Sequence, residues 1–446
     1  MKYKCLFIVF YFFTISCFAN SWNQFRANDL NNGFLPIQTS PAQKPTWTKE
    51  VGPINGTSPV VDSDGTIYVG NANGTLMAIN PNGTTRWKKE LSRGWRCSTP
   101  SISSLNGNIF VACTFQGYVT DHRDGEPKRH YVQQSKLFCC SPNGEIRWTY
   151  TPPTVSLGNK KNSHFFFTST PKVFDENGLS HIFIVESYWD DYLMQRNFLI
   201  VLNESGQLID ARFLSEAAFA EITGGGFKRV PSGGEIGPVP LPGTAYKPEN
   251  AIAIVKFANN SSLPVIIVSD QADAITAFEW KNNSLFSLLW SRGPSNAIFD
   301  YFQTSPSAHY GGLVMFGRSD GKVFFLDPWS GEELDKPWPK FRSGIYSTPT
   351  SFLRQIYLIT LDGEFIALDS DGSVWKKTKL GAQSMSSVAM SASFLYVQAA
   401  DGIYTLNFDA EEIAHSEFSG GGNSSPAIGN SGAVYALGSS TLFAFD

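Results

Sequence analysis

The sequence predicts an all-β protein, an eight-bladed β-propeller of four-stranded antiparallel blades whose last blade is closed by an N-terminal strand. Three observations predict it. A unit of four short strands recurs along the chain. A Ser/Thr-Pro pair opens most of the units. The final unit is one strand short, while an unpaired strand stands near the N-terminus.

The unit is plainest at residues 57–91, TSPVVDSDGTIYVGNANGTLMAINPNGTTRWKKEL. Residues 59–61 are apolar, 62–65 form a turn, 66–70 alternate, 71–74 turn again, 76–79 are apolar, and 81–83 lead into 85–91. Asp-Gly and Asn-Gly pairs between apolar runs signal hairpins, because they accept the positive φ angles that tight turns need.

The second unit opens at residues 97–100, continues at 109–113 and resumes at 136–148, with an insertion at 114–135. The third runs from 168–171 through 181–186 and 198–202 to 207–213, with an insertion at 187–197. The fourth opens at 236–238 and shows strands at 265–269, 274–280 and 285–290. Its first strand has two candidates, 238–241 and 251–257. Units five, six and seven occupy residues 304–338, 347–380 and 385–418. The eighth has strands at 433–437 and 442–445 after its opening at 423–426, and no fourth strand. Pro59 and Pro100 are 41 residues apart, and Pro306 and Pro349 are 43 apart, a spacing that suits one propeller blade. Residues 45–51, PTWTKEV, resemble the outer strand RWKKEL at 86–91, so they are expected to complete blade eight. The propeller then spans 45–446, behind an irregular segment at 20–44.

Charged residues make up 17% of the chain and hydrophobic ones 42%, which places it among folded rather than disordered sequences. A net charge of −4 without basic clusters argues against nucleic-acid binding. Lys2 and Lys4 precede an apolar stretch at 6–15 and small residues at Cys17 and Ala19. Residues 1–19 therefore read as a signal peptide, and the protein as exported, periplasmic or secreted. A second reading makes Cys17 a lipid anchor. No later run is long and apolar enough for a membrane span. Cys97, Cys113, Cys139 and Cys140 remain in the mature chain. Cys97 and Cys113 flank an expected hairpin and are candidates for a bridge, which spacing alone does not decide.

At the junctions of third and fourth strands, residues 78–87, 141–148, 326–331 and 367–375, the chain resembles the quinoprotein-like (pyrroloquinoline-quinone-repeat) eight-bladed propellers. The resemblance covers roughly residues 22–446. It implies a docking motif in which an Asp- or Asn-Gly turn precedes a Trp that packs between neighbouring blades. Residues 22–33, WNQFRANDLNNG, are similar to a segment that often precedes such propellers. The family holds both quinone enzymes and non-catalytic scaffolds, and in fold the chain also resembles the scaffold subunit of the outer-membrane protein assembly machinery.

On the usual blade path one face gathers Trp95, Arg96, His164, Phe165, Asp300, Tyr301, Phe302, Arg318, Arg342 and Tyr346 around a funnel, where they are candidates for ligand binding. Tyr188, Trp189, Asp190, Asp191 and Tyr192 rise in an insertion over that face and are candidates for partner binding. The other insertion carries Asp121, His122, Asp124, Glu126 and His130 without a metal-binding spacing and reads as a solvated polar loop. Residues 224–226, Gly-Gly-Gly, follow no strand-to-helix pattern and make no phosphate loop. A quinone enzyme would need calcium ligands, an Asp base, a Trp platform and often a disulfide of adjacent cysteines. Cys139-Cys140 is adjacent but falls on a third strand, where neighbouring side chains face opposite ways. No catalytic set and no metal site emerge. The expected function is therefore an exported scaffold that binds a protein, a ligand or an envelope component, without a cofactor. The alternatives are a dehydrogenase using pyrroloquinoline quinone with calcium in the funnel, and a lectin-like binder.

Overall fold

The computed structural model describes residues 21–121, 128–156, 162–189, 194–222, 226–229, 251–256, 263–270, 274–292, 304–309, 312–334, 338–353 and 355–446. The expected signal peptide, the lipidation alternative at Cys17, the opening of unit four at 236–238 and the 224–226 glycines fall outside these residues or at their margin.

Eight antiparallel sheets follow one another in a propeller ring. Blade one sets the pattern with Val60–Val61 innermost, then Ile67–Gly70, Thr75–Ile79 and Thr85–Glu90 outermost. In blade four the inner strand is Ala253–Val255, which selects the second of the two sequence candidates. Blade five has three regular strands, and its fourth position is held by isolated bridges, Leu326 with Glu333 and Lys322 with Lys340. Blade eight is completed as expected: Trp47–Glu50 pairs antiparallel with Thr441–Phe445, from Trp47 opposite Ala444 to Glu50 opposite Thr441. Second and third strands are buried on both faces, because each sheet is sandwiched between two others. Cys139 lies with Phe110, Leu137 and Ile184 between blades two and three, and Cys140 lies with Val60, Ile109 and Val111 between blades one and two. The two thiols are free, and burial pushes both up to about 12. Cys97 and Cys113, directly opposite in the ladder, are joined as a disulfide.

Two insertions expected as loops are instead continuations of the sheet. Ile109–Asp121 pairs with Lys128–Cys140 along its full length, and Leu179–Trp189 with Met194–Asn203. Alternating apolar and polar residues sustain the ladder well past the blade. The polar-loop expectation failed because these strands are richer in Gln, Thr, Arg and His than the core strands they extend.

Adjacent blades are joined by tryptophans. Trp47, Trp87, Trp148 and Trp290 each donate an indole N–H to a carbonyl in the next blade's turn, at Pro81 (2.9 Å), Pro142 (2.7 Å), Glu204 (2.8 Å) and Pro328 (2.9 Å). Each ring lies flat on the glycine of that turn. At Gly144, φ is 84° and an added Cβ would come within 2.7 Å of Trp87. Trp338 covers Gly372 in the same way. Two of the expected docking residues are corrected. Trp375 stands one position out of register, since Val374 takes the place that Thr85 has in blade one, and it is 38% exposed. Trp329 precedes its turn glycine and packs beside the core of blades four and five, leaving the docking role to Trp338. The outer strand of blade three has no Trp. There Asp210 accepts bonds from Ser284 Oγ and the Leu285 N–H (both 2.8 Å), and Arg212 donates to the Leu285 carbonyl (2.8 Å).

The Ser/Thr-Pro marker has a geometric reason. The hydroxyl two residues before the marker position accepts the N–H of its own second strand, as Ser169 does from Val185 (2.8 Å), Thr304 from Gly317 (2.8 Å) and Ser347 from Ile359 (3.1 Å). The hydroxyl one residue before it accepts an N–H from the preceding blade. Ser425 N–H donates to Ser58 (2.8 Å), Ser58 N–H to Thr99 (2.8 Å), Thr348 N–H to Ser387 (3.0 Å) and Ser387 N–H to Ser425 (3.0 Å). These bonds form a polar belt around the axis.

The segment before Trp47 is irregular, as expected, but it is not peripheral. Trp22, Phe25, Arg26, Ala27, Asn31 and Asn32 are all buried. Its carbonyls meet the inner edges of the blades in order around the ring. Val61 N–H donates to Trp22 (2.8 Å), Ile102 to Asn23 (2.7 Å), Ile254 to Asp29 (2.8 Å), Ala308 to Leu30 (2.8 Å) and Met390 to Gly33 (2.8 Å). Arg26 donates to the carbonyls of Asn31 (3.3 Å), Pro349 (3.1 Å) and Val388 and to the Thr350 hydroxyl. Gly33, at φ 64°, lets the chain fold over that guanidinium, and a Cβ there would touch it at 2.5 Å. Residues 22–39 therefore plug the axis.

Two substitutions test these joints. Gly144→Ala forces a left-handed Ala against the Trp87 ring and should lower unfolding free energy by about 2–4 kcal/mol in a urea titration. Arg26→Met leaves buried carbonyls without donors and should cost about 3 kcal/mol or more in the same titration.

Candidate functional site

The upper face of the ring carries the links between blades and the hairpins between second and third strands. In blade one the two are stitched together, with Leu91 N–H donating to the Gly74 carbonyl (2.8 Å) and Gly94 N–H to that of Asn73 (3.1 Å). Blades two and three dominate this face. Their hairpin strands have 13, 13, 11 and 10 residues, against four or five in the corresponding strands of blade one, and the outer strand Leu208–Ile222 turns back through Gly226–Arg229. A short ribbon of Thr154–Ser156 and Asn162–His164 stands beside them.

The expected funnel residues separate into several environments. Trp95 packs between blades one and two, with the Lys136 ammonium 5.3 Å from its ring centre and Phe115 at 6.1 Å. Arg96 is exposed and lies 3.2 Å from the Asn55 side-chain amide. Arg318 is buried in its own turn, where it grips Asp320 through Nε (2.8 Å) and Nη2 (2.6 Å) and lies 4.8 Å from the Phe324 ring centre. Burial opposes ionisation of Asp320, yet the Arg318 guanidinium holds its carboxyl well below the usual range. Tyr346 is half-buried with its phenol pushed up by burial, and Arg342 is exposed. His164 ends the short ribbon. Asp300, Tyr301 and Phe302 lie outside the described residues. Of the expected partner-binding residues, Tyr188 and Trp189 end a hairpin strand, and Asp190, Asp191 and Tyr192 lie outside the described residues. In the other insertion, Asp121 and His130 lie on paired strands, and His122, Asp124 and Glu126 are outside.

The axis holds a second polar group. Lys172, on the inner strand of blade three, donates to the Asn28 carbonyl (2.6 Å) and Asn31 Oδ1 (2.9 Å). Burial pushes its ammonium down to about 7, against the pull of nearby Asp29. Burial raises the Asp29 carboxyl, which accepts from Gln24 (3.1 Å). These groups hold the plug in place.

A third group was not among the sequence candidates. Glu186 stands on the strand Leu179–Trp189, opposite Phe167 on one side and Phe198 on the other. Alternation puts it on the face of Ile182 and Ile184, toward blade two. It is 5% exposed, its Oε2 has no hydrogen-bond partner, and burial pushes its carboxyl up to about 8. Across the interface, the Tyr150 hydroxyl of blade two is also buried without a partner. Its phenol is raised first by burial and then by the charge of Glu186. Above them, Phe165 meets Tyr188 at 4.7 Å and Phe198 at 5.9 Å between ring centres, and Tyr188 stacks on Phe198 at 6.0 Å. Phe165, Tyr188 and Phe198 are only partly buried, so the aromatic cluster reaches solvent. The signal lay in the sequence HIFIVESYW at 181–189, where a lone Glu falls on the buried alternation of an apolar strand.

No protein-family model matches the chain, and no curated protein matches it. Solved structures do. BamB from Moraxella catarrhalis aligns over 90% of this chain and 99% of its own, with TM-score 0.55 and 11% identity. A europium-containing methanol dehydrogenase aligns over 93% and 89%, with TM-score 0.63 and 12% identity. The computationally designed Ika8 protein aligns over 93% and 99%, with TM-score 0.51 and 10% identity. The likeness is one of fold alone, and it supports the eight-bladed propeller that the repeats predict.

Glu186 supplies a pH test. Its folded pKa lies above the unfolded value of 4.5, so the native state binds the extra proton and loses stability as pH rises from 4.5 toward 8. Below pH 4 the parent and Glu186→Gln should differ little in this term. By pH 7 the variant should gain about 3 kcal/mol relative to its low-pH difference, read by urea unfolding across pH.

Proposed function

We propose that this protein is an exported propeller that binds a protein or cell-envelope partner through the hairpins above blades two and three, and that it is not an enzyme. One observation carries the reading: among the described residues, paired strands lengthen on two neighbouring blades, all toward one face. Long hairpins on a rigid ring present a fixed surface, which suits recognition better than turnover. The likeness to BamB and to a methanol dehydrogenase is compatible with either role. Among the described residues no three His, Cys, Asp or Glu side chains gather as metal ligands, and no helix is long and apolar enough to cross a membrane.

Among the described residues, three features count against pyrroloquinoline quinone with calcium. Cys139 and Cys140 face separate cores and cannot make a disulfide platform, and Arg318 is committed to Asp320. The one carboxylate of the axial plug, Asp29, is engaged by Gln24 beside Lys172.

Replacing residues 117–132 with Asn-Gly shortens one hairpin to blade length. Partner crosslinking in cells should fall at least tenfold while the urea midpoint of the purified protein stays unchanged. Titration of the parent with pyrroloquinoline quinone and calcium should give no saturable heat. One-to-one binding there, with crosslinking unaffected by the deletion, would favour a dehydrogenase instead.

A further inference from the structure

The upper end of the core between blades two and three holds an acid and a phenol that the fold does not use. A carboxylate with nine-tenths of its surface removed from water is normally paired with a cation or with several donors. Glu186 Oε2 has neither, and its shift has no contribution from a neighbouring Lys, Arg or His. The positions beside it on the same face, Ile182 and Ile184, are apolar and packed, so the fold has no structural use for an acid there. Tyr150 repeats the pattern from the opposite blade, with a ring stacked 6.3 Å from Phe167 and a hydroxyl without a partner.

We propose that this junction of blades two and three binds an organic ammonium group, with its charge on the Glu186 carboxylate, one N–H on the Tyr150 hydroxyl and its carbon chain against Phe165, Tyr188 and Phe198. An ammonium supplies only donors, which is what a carboxylate oxygen and a phenol oxygen lack. Aromatic faces carry negative charge density and attract a cation, more strongly where water is excluded. An anion would meet Glu186 with like charge. A neutral alcohol could bond to both oxygens but carries no charge that would favour the ionised carboxyl. The same ammonium chemistry is carried by a free alkylamine and by a lysine side chain of a protein partner.

The test is calorimetric titration of the full mature protein with n-butylammonium chloride, 1-butanol and Nα-acetyl-lysine amide. Saturable binding of butylammonium is expected, at least tenfold tighter than butanol. Glu186→Gln should weaken it tenfold or more, and Tyr150→Phe, which keeps the ring, several-fold. Circular dichroism and the urea midpoint of both variants establish that the fold is kept. If acetyl-lysine amide matches butylammonium, the ligand is a partner's side chain; if it binds far more weakly, the ligand is a free amine. Absence of saturable binding to either ammonium probe, equal binding of butanol, or undiminished binding in folded Glu186→Gln overturns the proposal.

Discussion

Eight sheets arranged around an axis bring eight inner strands edge-on to the same small space, and each of those edges carries backbone N–H and C=O groups without a strand partner. Everything else in the molecule depends on how that requirement is met. An unpaired edge buried from water costs about 1–3 kcal/mol for each orphaned group. Here the solution is a stretch of chain with no regular structure of its own. Its irregularity is what lets it turn past each blade, offering a carbonyl from Trp22, Asn23, Asp29, Leu30 and Gly33 and a side-chain donor from Arg26 and Asn31. The polar belt of Ser and Thr hydroxyls does the same work a few residues above it.

Farther from the axis the blades are held by wide, flat contacts, and the sequence adapts where one is missing. A Trp on a turn glycine joins five of the eight interfaces. Between blades three and four, where the receiving turn is Asn282-Asn283 with both residues at positive φ, Asp210 and Arg212 reach across with hydrogen bonds instead. Between blades seven and eight the Trp position holds Ala414, and blade eight has no covalent turn to receive a ring, because its outer strand comes from the other end of the chain.

Most of this architecture was legible in the residues. The repeat length, the turn glycines and the missing eighth outer strand specified the ring and its closure without further help. Trp375 and Trp329 were misread because proximity to a turn glycine is visible in a sequence, whereas the bulge that sets the strand register is not. The role of residues 22–39 was hidden for a related reason: their partners are spread over seven blades, and no local pattern reveals contacts made with the whole ring. Among the funnel candidates, a side chain's engagement depends on neighbours such as Asp320, which captures Arg318 within a single turn. Glu186 was overlooked although its position in an apolar alternation was in view, since one acid in a long strand reads as the start of a solvated hairpin until the adjoining blade is known to cover it.

The joining of the two ends also bears on when the molecule becomes whole. Thr46 bonds to Ala444 across 398 residues, so the last blade cannot form until nearly the entire chain is present. Closing so large a loop is entropically no great obstacle, since each doubling of loop length adds only about 0.6 kcal/mol. It is an obstacle in time. Blades one to seven can assemble from neighbouring residues as they appear, but until the C-terminal strands arrive the seam stays open and the strand Trp47–Glu50 has no sheet to join. A chain interrupted near its end is then an arc rather than a ring, with an unsealed sheet at each tip available to a second arc. The same seam that gives the finished propeller its closure is thus the point at which an unfinished one is most exposed to the wrong partner.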